Sequence, residues 1–131
     1  MSACVWDYND GMQFLRHFWD AATTVDSAAQ ALDEGKRFPI CRLEALTGLF
    51  RSAGLVDVHC EAIEIPTTFV SFRDYWQPFL LGTGPAPSYV ASLEPERRAS
   101  LSRRLEEMLP KRADGTIALT ARAWAVRGIV S

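Results

Sequence analysis

Three groups of side chains in this chain have the types and spacing to do chemistry. Trp6, Asp7 and Tyr8 set a carboxylate between two aromatic rings, which makes Asp7 a candidate for an acceptor site. Tyr75 and Trp76, with Phe79 at helical spacing, form a second aromatic group, which either packs as core or lines a pocket. His17 has Asp20 nearly one helical turn later, and His59 shares a strand face with Glu61. In both pairs a carboxylate is placed to orient an imidazole for proton transfer, and in both the plainer reading is an exposed surface pair. No Ser-His-Asp or Cys-His arrangement can be read from the spacing, so no residue receives a catalytic role.

Composition removes several classes of function. The chain has 131 residues, 48% of them hydrophobic and 23% charged, which is enough for one domain spanning 1–131 with its own core. Its net charge of −2 offers no basic field for a phosphate backbone, so no nucleic-acid partner is expected. Arg97, Arg98, Arg103 and Arg104 are interleaved with Glu94, Glu96, Glu106 and Glu107, the pattern of a solvated helix face. No apolar run approaches the ~20 residues that cross a bilayer, and Met1–Asp10 lacks the pattern of a secretory signal. Cys4, Cys41 and Cys60 are odd in number and widely spaced, which suggests neither a disulfide framework nor a metal site. Three reduced thiols point to a cytoplasmic protein.

The elements that must position these residues centre on Leu43–Phe69. Leu43, Leu46, Leu49, Phe50 and Ala53 recur at helical spacing, Gly54 supplies a helix stop, and Val56, Val58, Cys60 and Ala62 then alternate as a strand. Ile63 and Ile65 break that alternation, which calls for a bulge or for cover on the second face, and Pro66 is expected to end the strand. Before this unit lie a strand over Ala3–Tyr8, a turn at Asn9-Asp10-Gly11 and a long helix from Met12 to Leu32. After it, Ser71 to Asp74 has capping-box spacing and opens the helix of the aromatic group. Gly82–Pro87 is read as a loop, Pro95 opens another helix, and Thr116–Arg127 is a final strand with small residues on one face.

The order of a strand ending in VWD, helices, LxxLFRSAGLVDV, a strand ending in IPxxF and one last strand resembles the C-terminal half of a class I S-adenosylmethionine-dependent methyltransferase of the small-molecule type. The resemblance covers most of the chain. It implies an α+β fold: a small mixed three-stranded sheet with helices packed on it, like the C-terminal half of a Rossmann-like methyltransferase. Ala3–Tyr8 resembles the fifth strand of that family's seven-stranded sheet, Val56–Ile65 the sixth, and Thr116–Arg127 the seventh, which lies antiparallel between them. Trp6, Asp7 and Tyr8 then sit at the carboxyl end of their strand, where open α/β sheets place ligands, and Tyr75 and Trp76 line the methyl-acceptor pocket.

The same resemblance implies that the cofactor half is absent. The family's glycine-rich turn follows its first strand, whereas the single GxG here, Gly82-Thr83-Gly84, follows a helix and runs into proline. No cofactor is expected for this chain alone, and S-adenosylmethionine is expected only if a partner chain or a longer chain supplies the missing half. A sheet opened at its fifth strand presents unpaired N–H and C=O groups, so a homodimer, or a separate chain docked along Ala3–Tyr8, is expected. The resulting reading is a methyltransferase-like fragment that keeps the acceptor side and is not catalytic by itself. The alternative is an independent small-molecule-binding module or a cofactor-free enzyme with an aromatic-lined pocket.

Overall fold

Gly54, at φ 86°, turns the chain directly from helix into strand, a conformation that costs glycine nothing. In the computed structural model, which describes residues 1–131, the helix α3 before this glycine spans Leu43–Ser52 and the strand after it runs from Leu55 to Phe69. In chain order the elements are β1 (Ser2–Trp6), α1 (Gln13–Val25), α2 (Glu34–Arg37), α3, β2 (Leu55–Phe69), α4 (Phe72–Trp76), α5 (Pro85–Ser92), α6 (Pro95–Met108) and β3 (Ile117–Val130). Short 3-10 turns occupy Ser27–Leu32, Pro39–Cys41 and Gln77–Leu80.

The fold is α+β, with one three-stranded sheet in the order β1-β3-β2. The last strand lies in the middle and is antiparallel to both neighbours, Trp6 opposing Ala123 and Ile63 opposing the same Ala123 from the other side. The outer strands run in the same direction without touching, so every hydrogen-bonded pairing in the sheet is antiparallel.

One face of the sheet is covered near β3's end by α3, whose Leu46 and Phe50 pack on Val126 beside Val5, Val58 and Cys60. At the other end, helices α1, α4, α5 and α6 enclose the main core with Ile117 and Leu119. Its centre is aromatic: Phe18 stacks on Phe79 with ring centroids 4.6 Å apart and meets Trp19 edge-on at 4.9 Å. Between these two covered regions, Trp6, Ile63 and Ile65 remain 43–48% exposed on the opposite face from α3.

Several boundaries differ from the periodicity. The irregularity in β2 falls between Val56 and His59, ahead of Ile63 and Ile65, and Asp57 carries φ 50° there. The bulge rephases the strand so that Leu55, Val58 and Cys60 face α3 while Val56 points out at 45% exposure. Gly128 sits opposite the bulge because a Cβ there would lie 2.9 Å from that of Leu55. Pro66 does not end β2; it pairs with Thr120. Thr120 donates its N–H away from β2, to Gln13 Oε1, so this pair exchanges no hydrogen bonds and the missing N–H of Pro66 costs the ladder nothing.

The long helix expected from Met12 breaks at Asp26, whose extended backbone starts the next turn and whose Oδ1 accepts from Ala28 N–H. The Gly82–Pro87 loop ends earlier than expected, since α5 begins at Pro85. Ser71 caps α4 as its spacing requires: its hydroxyl accepts from Asp74 N–H, and Asp74 accepts in turn from Val70 N–H.

The core is sensitive to alkali. Tyr89 Oη donates to Asp26 Oδ2 at 3.0 Å. Burial first, and then this hydrogen bond and the Asp26 charge, push its phenol from 10.0 up to about 12. Burial also raises Tyr75, which donates to Phe14 O at 2.6 Å. Above pH 10 the unfolded chain ionises both phenols and the folded chain does not, so stability is full below pH 10 and falls as the pH rises towards 12. Urea titrations at pH 8 and pH 11 are expected to show a lower midpoint at pH 11, with a smaller drop for Tyr89→Phe; equal drops for both chains would contradict this.

Candidate functional site

The carboxyl end of β1 leads into a turn that places Tyr8 at the mouth of a cavity of about 430 Å³. The start of α1 contributes Phe14 and Leu15, the end of β2 contributes Thr67 and Phe69, and the following segment contributes Tyr75, Pro78 and Phe79. Thr83 to Pro87, the approach to α5, closes the remaining side. The cavity therefore lies where a sheet strand ends and the helical insertion between β2 and β3 folds over it.

Two polar groups stand out against this largely apolar lining. Glu34, at the start of α2, is 6% exposed, and its Oε2 accepts from Trp19 Nε1–H at 2.6 Å. Thr67 Oγ1 is buried without a hydrogen-bond partner. Tyr8 is half-buried; burial, followed by the charges of Glu34 and Cys41, raises its phenol pKa.

The five candidates from the sequence separate at this point. Tyr8 and Tyr75 both line the cavity, although the Tyr75 hydroxyl is committed to Phe14 O. Asp7 lies outside it: it is 2% exposed, its Oδ2 accepts from Arg122 Nε–H at 2.9 Å and its Oδ1 from Asp10 N–H at 3.2 Å. Arg122 also reaches Glu64 at 3.4 Å and lies over the Trp124 ring at 5.1 Å, so Asp7 fastens the β1 turn to β3. Trp6 points from the bare sheet face, and Trp76 stacks on Phe72 with centroids 6.2 Å apart, at the edge of the core and outside the cavity lining. Sequence reasoning missed Glu34 and Thr67. Glu34 falls just beyond the helix expected over Met12 to Leu32, and its place in the cavity wall arises only from tertiary folding.

His59 Nε2 lies 3.7 Å from Glu61 Oε2 with both side chains more than half exposed, a surface pair. His17 is half-buried, and desolvation lowers its pKa against the opposing pull of Asp20. No cluster of three or more His, Cys, Asp or Glu side chains is arranged to hold a metal, and no helix is long and apolar enough to cross a membrane.

S-adenosylmethionine, implied by the resemblance, does not fit the turns present. β1 passes into α1 through Asn9-Asp10-Gly11-Met12, but Gly11 is packed on Arg122, where a Cβ would lie 2.5 Å from the arginine's own. β2 passes into α4 through Val70-Ser71, without glycine. Gly82 and Gly84 follow a 3-10 turn, and Pro85 and Pro87 remove two N–H donors from the start of α5. No family model matches this chain, and the search of curated proteins finds no match.

Proposed function

We propose that this chain is the acceptor-side half of a class I methyltransferase-like fold and that its cavity binds a small apolar molecule. The single observation carrying this reading is the coincidence of topology and pocket. A final strand runs antiparallel between two outer strands, and the cavity opens where the first of these ends, roofed by the insertion before the last strand. On this reading Tyr8 and the insertion hold the methyl acceptor, and the cofactor comes from a separate polypeptide segment in a cytoplasmic setting.

That segment docks along β1, whose outer edge is unpaired, and over the adjoining face, where Trp6, Ala123 and Ile63 align in one row across the three strands. A second copy of the chain is the homodimeric version of the same docking. Reading the chain instead as a self-sufficient binding module is favoured by one feature, the absence of a fitting cofactor turn beside a formed pocket.

Calorimetric titration of the chain with S-adenosylmethionine and its demethylated product is the test, run with light scattering on the same sample. The expected result is no heat from the chain alone, together with a dimer or a partner-dependent complex. Micromolar binding by a stable monomer would overturn the division into halves and the need for a partner.

A further inference from the structure

Glu34 is a carboxylate that no cation of the protein pairs with. One carboxylate oxygen accepts from Trp19 Nε1–H; the other, Oε1, has no hydrogen-bond partner, and no Lys, Arg or His nitrogen forms an ion pair with it. Arg16, whose Nη1 lies close to Gly35, is committed to Asp33 Oδ2 at 2.5 Å and to Asn9 O at 3.4 Å. Lys36 and Arg37, the basic residues closest in sequence, are exposed. Oε1 keeps contact with solvent, and a molecule that displaced that water would have to offer a donor in its place.

The rest of the cavity describes the molecule that would supply the missing donor. Phe14, Phe69 and Phe79 provide apolar walls, and Glu34 is the one charged side chain among the lining residues. Resting on the reading of this cavity as a small-molecule site, we infer that it takes an aromatic or similarly apolar molecule bearing a protonated amine, with the ammonium against Glu34 Oε1. An acid is excluded by the same carboxylate, and a neutral alcohol forgoes the charge-assisted bond. If Glu34 served only to tie α2 to α1 through Trp19, the cavity would not distinguish amine from alcohol.

The test titrates the intact chain with millimolar benzylamine, benzyl alcohol and phenylacetate at pH 7, by calorimetry. Benzylamine is expected to bind about tenfold or more tightly than benzyl alcohol, the size of one hydrogen bond to a charged group, and phenylacetate most weakly. Glu34→Gln keeps an acceptor for Trp19 and is expected to bring benzylamine down to the level of benzyl alcohol, whose own affinity stays unchanged. Equal binding of amine and alcohol by the unaltered chain would overturn the role of Glu34 while leaving the cavity a ligand site. Failure of all three probes to bind would overturn both readings. The comparison of probes on the unaltered chain decides the matter even if the variant does not fold.

Discussion

Phe18→Ala is expected to destabilise the protein by about 3–5 kcal/mol, the largest effect of any single truncation considered. Phe18 is 0% exposed and lies at the centre of the aromatic cluster, stacked on Phe79, edge-on to Trp19 and 6.3 Å from the Tyr89 ring. It joins α1 to both the Gln77–Leu80 turn and α5. The neighbours that would have to collapse into the vacated space are rigid rings held by Tyr89–Asp26 and Trp19–Glu34 hydrogen bonds, so little relaxation is available. Against a total stability of about 5–15 kcal/mol, the loss is a large fraction. Urea denaturation monitored by tryptophan fluorescence checks it: a shift of under about 1 kcal/mol would mean that the helical layer is not organised around this ring.

Asp7→Ala is expected to cost about 3 kcal/mol and to leave ligand binding in the cavity unchanged. Its carboxylate is buried and accepts from both Arg122 and the Asp10 N–H, so removal leaves these two donors without their acceptor. Arg122 is 28% exposed and recovers some hydration, which keeps the cost at the lower end of the range for buried pairs. Benzyl alcohol affinity, measured below the variant's melting temperature, separates structure from recognition. A loss of binding at undiminished stability would mean that Asp7 contacts the ligand and that its pairing with Arg122 is incidental.

Local signals were legible wherever one residue decides the conformation. Gly54 at the end of α3, the Ser71 cap of α4 and Pro95 at the first position of α6 each act within a turn of themselves, and each is where the spacing puts it. The alternation of β3 was also legible, because Ile117, Leu119, Ala121 and Ala123 are all buried on one face. What failed depended on partners remote in sequence. Pro66 is tolerated because β2 is an edge strand and Thr120 turns its N–H the other way, which no local pattern reveals. The phase of β2 was misread because the bulge is set at Asp57 opposite Gly128, seventy-one residues away in sequence.

The candidate site followed the same division. Tyr8 and Tyr75 reach the cavity because a strand end and a helical insertion are recognisable as units. Asp7, adjacent to Tyr8 in sequence, turns the other way to meet Arg122, and the choice between them is made by β3. Glu34 and Thr67 come from segments with no shared motif, and they line one cavity only in the folded chain.

The central claim is that the cavity at the end of β1 is the ligand site. Its most direct test is a nitrogen–proton correlation spectrum of the labelled chain titrated with benzyl alcohol. The account predicts saturable shifts confined to the cavity segments, at Tyr8, Phe14, Thr67 and Ala86. Shifts gathered instead on the bare sheet face around Trp6, Ile63 and Ile65, or no saturable shift anywhere, would contradict it.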